Sequence, residues 1–333
     1  MKNNTIRVYA TTLALCLGSY AATAAACDLC ALYTSLQVSK PKAGALQLGI
    51  SEQFTGFDRL QEDGKKLANP EHQNLQSSIS QVIAIYGVSN FLQLQGAVPF
   101  INRRYARFED GTRERGTETG FGDAVLSAKA FPYSYAKDDV SVLFNVLAGV
   151  KLPTGDSGRL REESLVETDG SHHESKHSAH HGGEDDGPAG AVHGHDLALG
   201  SGSIDFVIGS GLFTRWDRFF ASADVQYMIR TEGDYSYRYA NDLLWYGGPG
   251  AYVHLDDVAQ VALGATLSGE YKRDDRGQDD TAINSFFMGP ELLITGWSCL
   301  SGNVGFDIPV DIKNSGVQAI PTYRIRAGLT YRF

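Results

Sequence analysis

Seven of the nine histidines in this 333-residue chain lie between positions 172 and 195. Acidic residues such as Glu174, Glu184 and Asp196 are interleaved with them. Neutral imidazole combined with carboxylate suits borderline divalent metals such as zinc, copper and nickel. The candidate metal ligands are His172, His173, His177, His180, His181, His193 and His195. The chemistry that this segment favours is therefore divalent-metal binding.

The conformation of the histidine segment has several interpretations. If its first part is helical, one face carries His173, His177, His180 and His181 at three- and four-residue spacing. Low sequence complexity and abundant glycine instead indicate a flexible tether with several weak, exchangeable sites. A solvated loop that binds nothing, or a charge switch that responds to pH, would have the same composition.

Alternating apolar and polar residues dominate the rest of the chain, and this pattern indicates strands with one apolar face. The clearest example is 140–152, which places seven apolar residues on one side. A tilted strand needs roughly 9–11 residues to cross a bilayer, and each stretch reaches that length. Pro249 and Pro290 predict local bulges or kinks, because proline lacks an N–H. The predicted strands are 45–57, 75–87, 91–101, 121–132, 140–152, 203–214, 219–230, 242–254, 258–270, 284–295, 299–310 and 323–333.

The connections between these strands alternate between short and long. The short ones are 88–90, 133–139, 215–218, 255–257 and 296–298, and the long ones are 58–74, 102–120, 153–202, 231–241, 271–283 and 311–322. Transmembrane barrels have short periplasmic turns and longer extracellular loops. The sequence therefore predicts an all-β fold, a transmembrane antiparallel up-and-down β-barrel of about 12 strands. Both termini would be periplasmic, and 153–202 would be a long extracellular loop; ten or fourteen strands are the alternatives.

The final strand carries a further signal. Tyr331 and Phe333 end a stretch in which apolar residues alternate with Arg324, Arg326 and Arg332. This ending resembles the C-terminal strand by which the barrel-assembly machinery of Gram-negative bacteria recognises outer-membrane barrels. We therefore expect that machinery to be a partner of the chain.

Charged residues on the faces opposite the apolar ones would line the interior of the barrel. Lipid disfavours such charges by several kcal/mol each, so they should face water or one another. Twelve strands lie between small filled barrels and wide porins, so both a narrow pore and a plugged one fit the sequence. The predicted lumen residues are Asp123, Lys129, Lys151, Asp205, Asp224, Glu291, Asp307, Arg324, Arg326 and Arg332.

The N-terminus predicts export. Residues 1–26 have a basic start, a short apolar run and small residues before Cys27, as in a cleaved signal peptide. We expect 27–44 to be a periplasmic segment with a Cys-x-x-Cys formed by Cys27 and Cys30. In an oxidising compartment a disulfide is expected, either within this pair or from one of its members to Cys299. Metal binding by the thiols is the alternative.

Four motifs carry a family resemblance. They are Tyr86-Gly87 through Leu92-x-Leu94 to Pro99, Gly120-Phe121-Gly122-Asp123, Lys151-Leu152-Pro153-Thr154-Gly155-Asp156, and Leu199-Gly200-Ser201-Gly202-Ser203-x-Asp205-Phe206. Together they resemble the outer-membrane channels of a family named for meta-pathway phenol degradation. The resemblance is strongest between 86 and 208 and implies a barrel that moves small molecules, with phenol-like compounds as one substrate class. The Cys-x-x-Cys and the histidine segment depart from that pattern and argue against a purely hydrophobic substrate.

The sequence therefore predicts an outer-membrane channel for small solutes that collects divalent metal through the histidine segment. The alternatives are a channel for small aromatic or hydrophobic compounds, and a non-conducting structural or adhesive barrel. No enzyme is predicted, because the only strand histidine, His254, falls at the expected periplasmic end and no catalytic motif appears. The expected partners are outer-membrane lipid, lipopolysaccharide, and small solutes or metal ions. The net charge of −10 argues against nucleic acid.

Overall fold

Strands form nearly all of the regular structure in the computed structural model, which describes residues 40–109, 112–165, 190–256, 258–297 and 299–333. The strands of this part of the chain are β1 (Leu46–Glu62), β2 (Lys65–Leu67), β3 (Asn74–Gly87), β4 (Leu92–Glu109), β5 (Thr112–Phe121), β6 (Ala124–Lys137), β7 (Val140–Leu152), β8 (Asp205–Trp216), β9 (Phe219–Ile229), β10 (Asp242–Leu255), β11 (Ala259–Lys272), β12 (Ile283–Gly296), β13 (Leu300–Asn314) and β14 (Val317–Arg332). Two short helices, α1 (Leu160–Leu165) and α2 (Gly194–Leu197), lie between β7 and β8. No helix in the described ranges is long and apolar enough to cross a membrane.

Twelve of the strands described above close into one antiparallel barrel. Each pairs with the next along the chain, and β14 returns to pair with β1 from Gln47 opposite Arg332 to Glu62 opposite Val317. Strand β2 pairs only with the top of β1, and β5 pairs only with the top of β4, so neither adds to the circumference. The predicted twelve-stranded up-and-down barrel is confirmed.

The two faces of each strand have opposite character, in the reverse sense to a soluble protein. On β14 the outward Ile325 is 43% exposed, whereas the inward Arg326 is 0% exposed. On β8 the outward Phe206 and Ile208 are exposed, whereas the inward Asp205 is buried. Apolar side chains directed outward and charged ones directed inward suit a wall between lipid and a polar interior.

The strands run further than the sequence predicted at one end of the barrel. The predicted loop 102–120 is mostly a hairpin of β4 and β5. The predicted loop 311–322 is mostly the end of β13, which pairs with β12, and the start of β14, which pairs with β1. Beyond the apolar band these strands carry many polar residues, and their backbone pairing continues around buried side chains such as Tyr105 and Ile320. We call this end the long-loop end, and the opposite end, with connections such as 138–139 and 217–218, the short-turn end.

Pro249 and Pro290 each interrupt the hydrogen-bonded ladder on one side of their strand. Between β10 and β11 the pairing stops after Gly247 and resumes at Gly250 in the same register, on either side of Pro249. Between β12 and β13 it stops after Met288 and resumes at Glu291, on either side of Pro290. The irregularity at each proline is therefore a gap in the ladder; the register shifts lie elsewhere in these strands.

Candidate functional site

Residues 190–203, which precede β8, fold into the barrel at the long-loop end and form what we call the plug segment. Leu197 and Ala198 are 0% exposed. Leu197 packs with Leu75 of β3 and Tyr105 of β4 in one apolar cluster. An apolar side chain gains about 1.5–3 kcal/mol from full burial, so the wall contacts stabilise the inward position.

Arg103 of β4 holds the plug segment from below. Its side chain is completely buried, and Nη1 donates hydrogen bonds to the backbone oxygens of Asp196 and Ala198, the latter at 2.7 Å. The last residues of a short helix have carbonyls without partners inside the helix. Arg103 therefore satisfies the C-terminal end of α2 and fixes its depth in the barrel.

A charged cluster anchors both ends of the loop that contains the plug segment. Lys151 Nζ lies 2.5 Å from Asp123 Oδ2 and 3.0 Å from Asp205 Oδ2. Asp123 also accepts backbone hydrogen bonds from Gly155 N at 2.9 Å and Ser201 N at 3.0 Å. Three of the four sequence motifs thus converge on one point, which we call the Asp123–Lys151–Asp205 anchor.

Glycine is required where the two ends of this loop cross. A Cβ on Gly155 would lie 2.6 Å from the oxygen of Leu199, and a Cβ on Gly200 would lie 2.7 Å from Asp123 Oδ1. These approaches are closer than real Cβ contacts, so only glycine allows the two loop segments to cross beside the carboxylate of Asp123. The glycines in the motifs are therefore part of the anchor.

The first part of the loop is tied to the β4–β5 hairpin by a second ionic cluster. Arg159 Nη2 lies 2.6 Å from Glu118 Oε1, and Arg107 lies 2.6 Å from Glu114 and 2.8 Å from Glu162. Burial of Tyr105 beside them raises its pKa to about 12. The loop therefore contacts the wall at its start, along the plug segment and at its end.

Two of the predicted metal ligands are described, and both belong to the plug segment. His195 is buried, and its Nδ1 lies 3.1 Å from Glu163 Oε1 while its Nε2 lies 3.4 Å from Asp196 Oδ1. The ring of His193 stacks on it with 5.5 Å between centroids. In the ranges that the structure covers, no group of three or more His, Cys, Asp or Glu residues is arranged to hold a metal ion.

The other five predicted metal ligands lie outside the described residues. They are His172, His173, His177, His180 and His181. Both ring nitrogens of His195 already face carboxylates, which gives this histidine a structural role in joining α1 to α2. Collection of metal by the whole histidine segment stays a prediction.

The His195–Glu163 contact should make the plug sensitive to pH. Burial favours the neutral ring, but the charges of Asp196 and Glu163 outweigh it and raise the pKa of His195 from 6.5 to about 9. Burial opposes ionisation of Glu163 as well, yet the His195 hydrogen bond lowers the pKa of Glu163 from 4.5 to about 2. The stabilisation of the plug segment by this contact should be complete between about pH 4.5 and pH 6.5, and it should be lost as the pH rises through about 9.

We therefore expect ion flux through reconstituted protein to rise as pH increases through about 9. Flux in proteoliposomes at a series of pH values measures this. In Glu163→Gln the rise should begin at lower pH, because the ring loses the carboxylate that holds its proton. A profile that is flat for both proteins would contradict a role for this contact in closing the barrel.

Below the plug segment the predicted lumen residues point inward and are mostly buried against one another. Arg326 lies 2.6 Å from Asp307 and 3.6 Å from Glu291. Arg324 lies over the ring of Phe287, 4.1 Å from its centroid. Nine of the ten are buried and Arg332 is half-buried; the buried ones are Asp123, Lys129, Lys151, Asp205, Asp224, Glu291, Asp307, Arg324 and Arg326. Six of the ten are joined in ion pairs inside the barrel, Lys151 with Asp123 and Asp205, and Arg326 with Asp307 and Glu291.

The short-turn half of the interior has two unlike sides. On β6 to β12 an apolar cluster lines the interior, and its members are Phe131, Leu143, Phe213, Phe220, Tyr252, Ala262 and Leu293. On the remaining strands many inward residues are amides and hydroxyls, beside a smaller apolar cluster of Ile83, Ile85 and Ala97. The polar ones include Gln47, Ser51, Gln53, Gln81, Gln93, Ser301, Asn303 and Thr330. A small molecule at this level would meet aromatic rings on one side and hydrogen-bonding groups on the other.

A cavity of about 80 Å³ lies between the plug segment and the wall. Arg103, His195 and Phe287 line it together with Arg324 and Lys272. A space of this volume holds a few water molecules, so the plug segment fills most of its section of the barrel.

Cys299 and His254 both lie at the short-turn end. Cys299 is half-buried, and its carbonyl accepts a hydrogen bond from Arg332 N at 2.8 Å. Cys27 and Cys30 lie outside the described residues, so the disulfide stays a prediction. His254 is exposed, and its Nε2 lies 2.8 Å from Asp256. It therefore contacts solvent and its own turn rather than the interior.

Comparison with solved structures places this architecture among outer-membrane barrels. An outer membrane channel from Pseudomonas putida F1 is similar to the chain with a TM-score of 0.60 and 15% identity, covering 87% of this chain and 96% of that one. The β domain of a Bordetella autotransporter is similar with a TM-score of 0.41 and 11% identity, covering 88% of this chain and 100% of that one. A monoaromatic hydrocarbon channel is similar with a TM-score of 0.33 and 6% identity, covering 87% of this chain and 88% of that one. At these identities the first of them shows the fold, and the other two carry no argument.

No protein-family model and no curated protein matches the sequence. The resemblance to the phenol-degradation family therefore has no support at the level of sequence comparison. The similarity of structure supports an outer-membrane channel fold and leaves the substrate open.

Proposed function

We propose that this chain is an outer-membrane channel for small solutes and that the plug segment closes it. The observation that carries this proposal is the inward position of residues 190–203, which Arg103 and the Asp123–Lys151–Asp205 anchor hold inside the barrel. A barrel with a structural role alone needs no polypeptide folded into its interior. Long loops of bacterial barrels are extracellular, so the plug would close the outer mouth.

The two unlike sides of the interior favour small aromatic compounds that carry a polar group. Phe220 and Tyr252 offer ring faces, and Gln93 and Asn303 offer hydrogen bonds at the same end of the barrel. Buried charges of both signs occur along the interior, so a bare metal cation gains no clear advantage there. The family resemblance in the motifs points to the same substrate class. Divalent metal bound at the surface is a second proposal: zinc should release heat in calorimetry with the full chain, and no heat, or the same heat after deletion of 171–189, would contradict it.

Current interruption by phenol tests the proposal. We expect single channels in a planar bilayer to conduct weakly, because the plug fills the mouth, and millimolar phenol to interrupt the current more often than equal glucose. Phe220→Leu with Tyr252→Leu should reduce the interruptions several-fold, since contacts between aromatic rings contribute about 0.5–1.5 kcal/mol per pair. The matched control is Phe219→Leu with Val253→Leu, which changes outward positions on the same strands.

Two results would contradict the proposal. A protein that carries no current under any condition, although folded, would indicate a structural or adhesive barrel. Equal interruption by phenol and glucose would remove the aromatic substrate class and leave a general channel.

A further inference from the structure

The outward face of the β4–β5 hairpin carries three arginines that the proposed channel does not use. Arg104, Arg113 and Arg115 are all exposed. In the sheet Arg104 pairs with Thr117 and Arg115 pairs with Ala106, so the three side chains occupy neighbouring positions on one surface. We call this surface the arginine face.

The alternation of the hairpin sorts its charges by sign. Glu114 and Glu118 point inward, where they bind Arg107 and Arg159. Their carboxylates are therefore directed away from the arginine face. The structure gives Arg104, Arg113 and Arg115 no ion pair or hydrogen bond with a described residue. Three positive charges thus stand together without an acidic partner from the described part of the chain.

The arginine face lies directly above an apolar column on the same strands. Phe100 and Phe121 pack edge to face, with 5.5 Å between ring centroids, and both are exposed on the outer wall. Val98 and Leu126 continue the exposed apolar surface toward the short-turn end. Arg104 is four residues from Phe100, about 13 Å along a strand. The outer surface therefore has a cationic patch next to an exposed aromatic pair. The distance between them suits a lipid whose charged headgroup lies on the arginines and whose acyl chains lie on the rings.

We propose that the arginine face binds the phosphorylated headgroup of an anionic glycolipid of the lipid A type, whose acyl chains lie on Phe100 and Phe121. Arginine suits this ligand because its planar fork donates two parallel hydrogen bonds to phosphate oxygens. The assignment of the outer leaflet rests on the proposed function, since that proposal sets the long-loop end outside. The binding chemistry itself depends only on the hairpin.

Native mass spectrometry of the full-length protein in detergent tests this. The protein is mixed with bisphosphorylated lipid A, with the same lipid lacking both phosphates, or with lipid A plus an equal concentration of inorganic phosphate. The variant is Arg104→Gln with Arg113→Gln and Arg115→Gln. The matched control is Arg59→Gln with Lys65→Gln and Lys66→Gln, which removes the same charge from exposed positions of the β1–β2 hairpin at the same end. Heat-modifiable migration in gel electrophoresis confirms that each variant folds.

We expect the wild type and the control to retain bisphosphorylated lipid A. The arginine variant should retain less of it, by a factor of roughly ten or more. The lipid without phosphates should bind all three proteins equally weakly. Equal retention by the arginine variant and the control would overturn the proposal, and so would displacement of the lipid by inorganic phosphate at equal concentration. The conductance of the arginine variant should match the wild type. A failed channel proposal would therefore appear in the bilayer experiment while lipid retention stays intact.

Discussion

Replacing Arg103 with alanine should open the channel. The guanidinium donates to two buried carbonyls of the plug segment, and hydrogen bonds from charged groups are worth about 1.5–3 kcal/mol each. Losing even one of them would shift the balance between closed and open states by roughly 10–100-fold, since each 1.4 kcal/mol is about tenfold. Planar-bilayer recordings should therefore show openings of Arg103→Ala that are at least tenfold more frequent, and larger, than those of the wild type.

Two controls sharpen the result. Arg104→Ala changes the next residue, which points outward, so it should leave the recordings unchanged. Arg103→Lys should give an intermediate effect, since a lysine keeps the charge but cannot reach both carbonyls with one planar fork. Identical recordings for Arg103→Ala and Arg104→Ala would mean that the carbonyl contacts do not hold the plug.

Replacing Lys151 with methionine should destabilise the barrel at the anchor. The ammonium group is buried between Asp123 and Asp205, and methionine has a similar volume without the charge. Removing one partner from a buried ion pair typically costs about 3–5 kcal/mol, because the remaining charge stays buried. Asp205 keeps Arg230 at 3.1 Å, so most of the loss should come from Asp123.

The free energy of unfolding by urea in micelles measures this loss. The free energy of unfolding of Lys151→Met should be about 3 kcal/mol lower than that of the wild type. Lys151→Met with Asp123→Asn should recover part of this loss, since the double change removes the unpaired charge. Lys137→Met is the matched control, because Lys137 is exposed at the short-turn end of β6 and should change little. An equal loss in Lys151→Met and the double variant would contradict the ionic account of the anchor.

The sequence predicted the membrane-crossing strands well because they obey one simple rule. Residues such as Phe206 and Ile208 alternate with inward polar ones, and lipid on one side enforces the period of two. Strand ends above the apolar band obey no such rule. Thr112–Phe121 has polar residues on both faces, so its residue pattern does not indicate that this stretch pairs with β4.

The plug segment was missed because length and composition suggested a surface loop. A signal was nevertheless available: Ala191-Val192 and Leu197-Ala198-Leu199 are apolar residues at the edge of a polar insertion. Such residues gain little in water and so indicate a buried position. Arg103 could not be found in this way, since its role depends on the depth of α2 inside the barrel, which only the structure shows.

The motif residues show how far a sequence pattern reaches. Asp123, Lys151 and Asp205 were predicted to line the interior, and they are placed there, but their convergence on the two ends of one loop follows from the closure of the barrel. Alternation gives the face of a residue and not its partner across the sheet. The plug and its anchor are therefore tertiary features built from residues that the sequence assigned to separate strands.

A disulfide between the plug segment and the wall tests the central claim most directly. Ala191 O accepts a hydrogen bond from Ala319 N of β14 at 2.8 Å, so these residues are adjacent. Ala191→Cys with Ala319→Cys, in a protein whose Cys27, Cys30 and Cys299 are replaced by serine, should carry almost no current when oxidised and recover it fully on reduction. The single-cysteine proteins should not respond. If the oxidised double variant conducts as well as the reduced one, the plug segment does not close this barrel.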